Sequence, residues 1–144
     1  MTEPRPLVPA GRRFDGRGLT VWYDARRCTD VGECVRLAAE VFDLAAQPAP
    51  VVHPDAEAPD RIAEVVRACP TGALHYRLAD GSEEAATAPT TITVRPEGPI
   101  WIRGDLLLET ADGPVAERRA ALCGCGRTAN RPFCDMACTR EPAP

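Results

Sequence analysis

Seven cysteines fall into two spacing patterns in this chain of 144 residues. The second pattern, Cys123-x-Cys125-x8-Cys134-x3-Cys138, brings four thiols into sixteen residues. Thiolates are soft ligands that select iron–sulfur clusters, zinc or copper(I) over hard cations, so this segment reads as a metal site. Cys134 and Cys138 are four residues apart, the separation that puts two side chains on one helix face. Structural zinc sites usually bring Cys-x2-Cys knuckles with the second pair a dozen or more residues away, whereas this segment has Cys-x-Cys. A four-cysteine zinc site and a three-cysteine site with Cys138 outside it remain as alternatives. The first pattern is Cys28-x5-Cys34 followed by Cys69-Pro70.

The residues between the cysteines carry further information. The segment 122–138 resembles the CDGSH iron-sulfur family, whose signature is C-x-C-x2-[S/T]-x3-P-x-C-D-G-[S/A/T]-H. Cys123, Cys125, Thr128, Pro132, Cys134 and Asp135 match in register. Met136 stands where the family has glycine, and a helical first turn there would tolerate it; Cys138 stands where the family has its ligating histidine. The resemblance implies a 2Fe-2S cluster with all-cysteine ligation, Cys123 and Cys125 on the inner iron and Cys134 and Cys138 on the outer one. Cys28 and Cys34 after a strand, Val41-Phe42-Asp43 closing the helix that follows, and then Cys69-Pro70 resemble a bacterial single-cluster ferredoxin, specifically the divergent mono-cluster group. In that family the run is C-x2-C-x2-C with a distant C-P, and Val31 occupies the middle ligand position here. Valine cannot ligate iron. The resemblance then implies a 3Fe-4S cluster, the preferred reading, or a 4Fe-4S cluster whose fourth iron takes Asp30, water or another small ligand.

Two small modules fit these sites, giving an α+β class: a ferredoxin-like α+β module followed by a β-rich CDGSH-type cluster module. Residues 1–17, rich in Pro, Gly and Arg, read as a flexible tail, 18–78 as the first module, 79–90 as a linker and 91–140 as the second. Leu19 to Asp24 alternates as a half-buried strand. Helical spacing covers Glu33 to Phe42 and Asp60 to Ala68, the latter ended by Pro70, and Leu74 to Leu78 should pair with the first strand. Thr91 to Arg95, Ile100 to Arg103, Leu106 to Glu109 and, more weakly, Ala120 to Leu122 are short strand candidates separated by Gly- and Pro-containing turns. Modules of this size commonly need a metal staple.

Charge and composition narrow the function. The net charge is −4, and every basic residue is an arginine scattered among acids, which argues against a nucleic-acid groove and reads as a solvated surface with helix-end pairs. No stretch reaches the length of a membrane span. The odd cysteine count and the lack of an apolar leader point to the cytoplasm. His53 and His75 read as structural residues, and no nucleophile triad, phosphate loop or paired-carboxylate signature suggests an enzyme. The expectation is a one-electron carrier for a redox partner protein, by resemblance a haem-thiolate monooxygenase or a reductase. The alternatives are cluster transfer or redox sensing and, more remotely, a zinc-stabilised interaction module.

Overall fold

The structure is a computed structural model that describes residues 6–29 and 31–137. Asp30 and Cys138, both expected at the metal sites, lie outside the described residues. In chain order the first unit comprises β1 (Arg12–Asp15), β2 (Leu19–Tyr23), α1 (Glu33–Leu37), β3 (Phe42–Asp43), β4 (Val51–Val52), α2 (Pro59–Arg67) and β5 (Leu74–Leu78). Its main sheet is antiparallel with order β1-β2-β5. Alternation along β2 divides the side chains between two faces. Leu19, Val21 and Tyr23 join Ile62, Val65 and Val66 of α2 in one core, together with Leu74, Tyr76, Val41, Phe42 and Val52. Trp22 pairs with His75 on the opposite face, where Arg13 and Arg77 lie over the indole ring.

The local sequence explains these elements. Pro59 occupies the start of α2, where its missing N–H costs nothing, and Asp60 and Arg67 complement the helix dipole at either end. β5 pairs with β2 as expected, Tyr23 opposite Leu74 and Leu19 opposite Leu78. The helix expected over Glu33 to Phe42 is shorter, because Ala38 leaves helical geometry with φ of −151°. Val41 and Phe42 still reach the core, but through a turn on the Ala38 carbonyl and a short strand pair with β4. The stretch read as an N-terminal tail also differs: β1 pairs along its length with β2, and Leu7 is buried.

The second unit is a β-meander of β6 (Thr91–Thr93), β7 (Ile100–Thr110) and β8 (Gly113–Leu122). The turn expected at Arg103-Gly-Asp105 is instead an irregularity inside one long strand, where the register shifts between Arg103 and Leu106. Such a bulge bends a strand without ending it. Ala111-Asp112 forms the expected hairpin turn, with Thr110 paired to Gly113. The apolar core is small here: Leu106, Ala120 and Phe133, with Ile102, Leu108 and Leu122 packed against them.

A buried polar seam joins the two units. Glu117, Arg118 and Arg119 on β8 are all buried, and Arg119 is 1% exposed. Arg119 donates to both Glu84 carboxylate oxygens, to the Leu74 carbonyl at 2.7 Å and to the Cys69 carbonyl at 2.5 Å. Glu117 receives Arg27 and lies 2.7 Å from His75 Nε2. These arginines are therefore not the solvated surface that their scatter suggests. Glu84 belongs to the stretch read as a linker, and it is buried against β8.

Candidate metal centres

The first site is assembled from two loops on the rim of the apolar core. Cys28 follows β2, Cys34 sits in α1, and Cys69 follows α2. All three line one pocket with Val31, Leu44 and Thr71. Cys34 is buried, and burial pushes its thiol up to about 11, with the neighbouring Cys69 and Cys28 adding to the shift. A cationic iron core would offset that burial and favour Cys34 as a thiolate. Thr71 Oγ lies 3.3 Å from Cys69 Sγ. Val31 is 49% exposed at the pocket edge and brings no thiolate to it.

The second site lies where β8 runs out into its loop. Cys123 and Cys125 have their sulfurs 3.8 Å apart. Two thiolates bound at about 2.3 Å to one tetrahedral ion stand about 3.8 Å apart, so this pair already has the separation that a shared metal requires. The Gly126 amide donates to Cys123 Sγ at 3.2 Å, the Arg127 amide to Cys125 Sγ at 3.4 Å and the Met136 amide to Cys134 Sγ at 3.3 Å. Burial pushes the Cys123 thiol up, but amide donors from Thr128, Gly126 and Cys125 outweigh it and hold the thiol below its usual range. Backbone donors of this kind favour anionic sulfur.

The signature residues between the cysteines form the frame of this loop. Thr128 is buried, donates to the Phe133 carbonyl at 2.6 Å and accepts from the Asn130 amide at 3.0 Å. Asp135 accepts from the amides of Ala129 and Ala137. The Pro132 carbonyl receives the Cys123 amide, and the Cys134 amide reaches back to Ala121 on β8. Met136 has φ of 62°. The position where the family has glycine is thus left-handed here, rather than the first helical turn that would suit methionine, and methionine adopts it at a steric cost.

Among the described residues, no three histidine, cysteine or carboxylate side chains stand close enough to chelate one bare ion. Cys28, Cys34 and Cys69 line one pocket, and their soft thiols are a donor set that fits an iron–sulfur cluster. His53 and His75 stand outside both sites; His75 is buried against Glu117. Sequence reasoning missed the Glu117-Arg118-Arg119 run. The one local sign is three charges in succession shortly before Cys123, with nothing beside them to show that they are buried.

Two thiol-lined sites thus stand on a small α+β unit and a following β-rich unit, a donor chemistry suited to soft metals. Residues 14–79 match the divergent 4Fe-4S mono-cluster family, and residues 97–137 match the iron-binding zinc finger of CDGSH type. The uncharacterized protein YjdI of Escherichia coli, in strain K12 and in O157:H7, is 32% identical over 72 residues, covering 49% of this chain and 92% of YjdI. No solved structure matches the chain significantly. The chain belongs to the divergent 4Fe-4S mono-cluster family and carries a CDGSH-type iron-binding domain behind it.

Proposed function

We propose that this iron–sulfur protein is a one-electron carrier with two clusters, held by Cys28, Cys34 and Cys69 in the first unit and by Cys123, Cys125, Cys134 and Cys138 in the second. Iron–sulfur clusters, when bound, take up and release single electrons without a catalytic side chain. The observation that carries the reading is the contact between the sites. Arg27, the neighbour of Cys28, stacks 4.0 Å over the ring of Phe133, the neighbour of Cys134. Asn130 in the second loop also donates to the Arg26 carbonyl at 3.1 Å. These contacts hold the two thiol loops against each other, an arrangement that suits electron exchange between two clusters.

For the first site the proposed resting form is 3Fe-4S, since Val31 leaves one corner of a four-iron cluster without a thiolate. For the second the proposed form is 2Fe-2S. Partner and compartment follow the same reading: a redox enzyme in the cytoplasm, such as a haem-thiolate monooxygenase or a reductase. A reading as a cluster-transfer or redox-sensing protein is favoured by one observation, the exposure of Cys125. The two are separated by stopped-flow mixing of the reduced protein with a one-electron acceptor and a chelator. A carrier delivers electrons well before iron appears in the chelator; iron loss at the rate of electron delivery would favour transfer.

A further inference from the structure

The seam between the units does more than join them. Arg119 has its backbone on β8, four residues before Cys123, while its guanidinium reaches the carbonyls of Cys69 and Leu74 in the ligand loop of the other site. Glu84 fixes that guanidinium from behind, at 2.8 to 3.1 Å. The same loop presses on β8 at Gly72, whose φ is 75° and where a Cβ would fall 2.4 Å from the Arg119 carbonyl. Two residues earlier on β8, Glu117 holds Arg27 beside Cys28. One strand therefore bonds at Cys69 and beside Cys28 of the first site and ends at Leu122, directly before the first cysteine of the second.

We propose that Arg119 is a positioning residue that clamps the Cys69–Leu74 ligand loop to the strand presenting Cys123, so that each site retains its cluster better when the other is filled. The physical reason lies in the guanidinium's geometry. Its planar fork makes several fixed bonds at once, which a lysine's single ammonium cannot reproduce. A loop held by two carbonyl bonds and a close glycine contact moves with β8, and β8 moves with the loop that continues from Cys123. Coupling between two binding sites is reciprocal and typically amounts to 5- to 150-fold in affinity. Glu117 and Arg27 add a second tie at Cys28. This inference rests on the reading that both sites bind clusters.

The test uses the full chain, purified anaerobically, with iron loss to a chelator followed separately for each cluster by its own spectrum. Disabling the second site with Cys123→Ala is expected to speed loss from the first about tenfold. In an Arg119→Lys background, which keeps the charge opposite Glu84, the same change is expected to speed it about twofold or less. Hydrogen exchange of amides 71–74 is expected to rise in Arg119→Lys while that of α2 and β2 stays unchanged, a local signature that general destabilisation would not give. Should Arg119→Lys fail to fold, Gly72→Ala wedges the loop from β8 with the ion pairs intact and carries the same expectations. First-site loss that ignores Cys123→Ala, or an equal acceleration in both backgrounds, overturns the proposal. A wild-type chain lacking one cluster overturns the two-cluster reading instead, and unchanged exchange at 71–74 would then overturn the clamp by itself.

Discussion

The two thiol sites are held by different physics. Cys34 is one of fourteen buried residues in the first unit's core among the described residues, and desolvation dominates its surroundings. Cys123 follows a strand whose core has three among the described residues, and there the amide donors together outweigh desolvation, the largest single influence. Apolar burial holds a ligand in place through packing and opposes charge; amide donors hold it through direction and welcome charge. The second unit thus compensates for its small apolar core with polar frames: the Thr128 and Asp135 bonds inside the loop, and the Arg119–Glu84 and Arg27–Glu117 pairs along the seam. Each frame is sensitive to a change that a packed core would absorb.

The largest effect should come from the seam. Arg119→Met leaves Glu84 buried without its partner, and breaking a buried pair in this way costs about 3–5 kcal/mol. Arg95→Met removes an exposed arginine that lies over Trp101, 4.4 Å away, and such an exposed contact is worth about 0.5–1 kcal/mol. Thermal midpoints of the two variants should differ accordingly; equal midpoints would break the distinction between buried and surface arginines. Next comes the loop frame. Thr128→Val strands the Asn130 amide and the Phe133 carbonyl, a loss of about 1–3 kcal/mol, and it should speed iron loss from the second cluster more than from the first.

A smaller, pH-dependent effect sharpens the comparison further. Burial pushes Glu117 up, but the bond and charge of His75 and the Arg27 guanidinium together hold its carboxyl below the usual range. A carboxyl depressed in the fold stabilises it fully above the unfolded-chain value, about 4.3, and loses that contribution as pH falls through the depressed value. Glu117→Gln should therefore show a shallower fall in thermal midpoint than the parent on acidification, with acid loss of iron common to both. A parallel fall would mean that Glu117 takes no part. The smallest effect concerns Met136: relief of its left-handed backbone by Met136→Gly should stabilise the chain by about 0.5–1 kcal/mol, read as a higher thermal midpoint.

The parts legible in the sequence are those specified by local pattern. β2, α2 and β5 show clear periodicity, and the cysteine spacings place Cys28, Cys34 and Cys69 around one pocket and Cys123 beside Cys125. β1 was hidden because Arg12, Arg13 and Asp15 point to a solvated stretch, and only pairing with β2 makes them a strand. The helical spacing after Glu33 overran because Val41 and Phe42 satisfy the core equally well from a turn. The seam was least legible. What allows Arg119 to be buried is Glu84, 35 positions away, and the Cys69 carbonyl, 50 away, and nothing near Arg119 in the chain announces either.

The most direct measurement of the central claim is EPR, with iron and acid-labile sulfide analysis, on the anaerobically purified full chain. Iron and sulfide sufficient for two clusters are expected, with a first-site signal of oxidised 3Fe-4S type after exposure to air and a 2Fe-2S signal from the second site on reduction. Stoichiometric zinc without labile sulfide would contradict the claim.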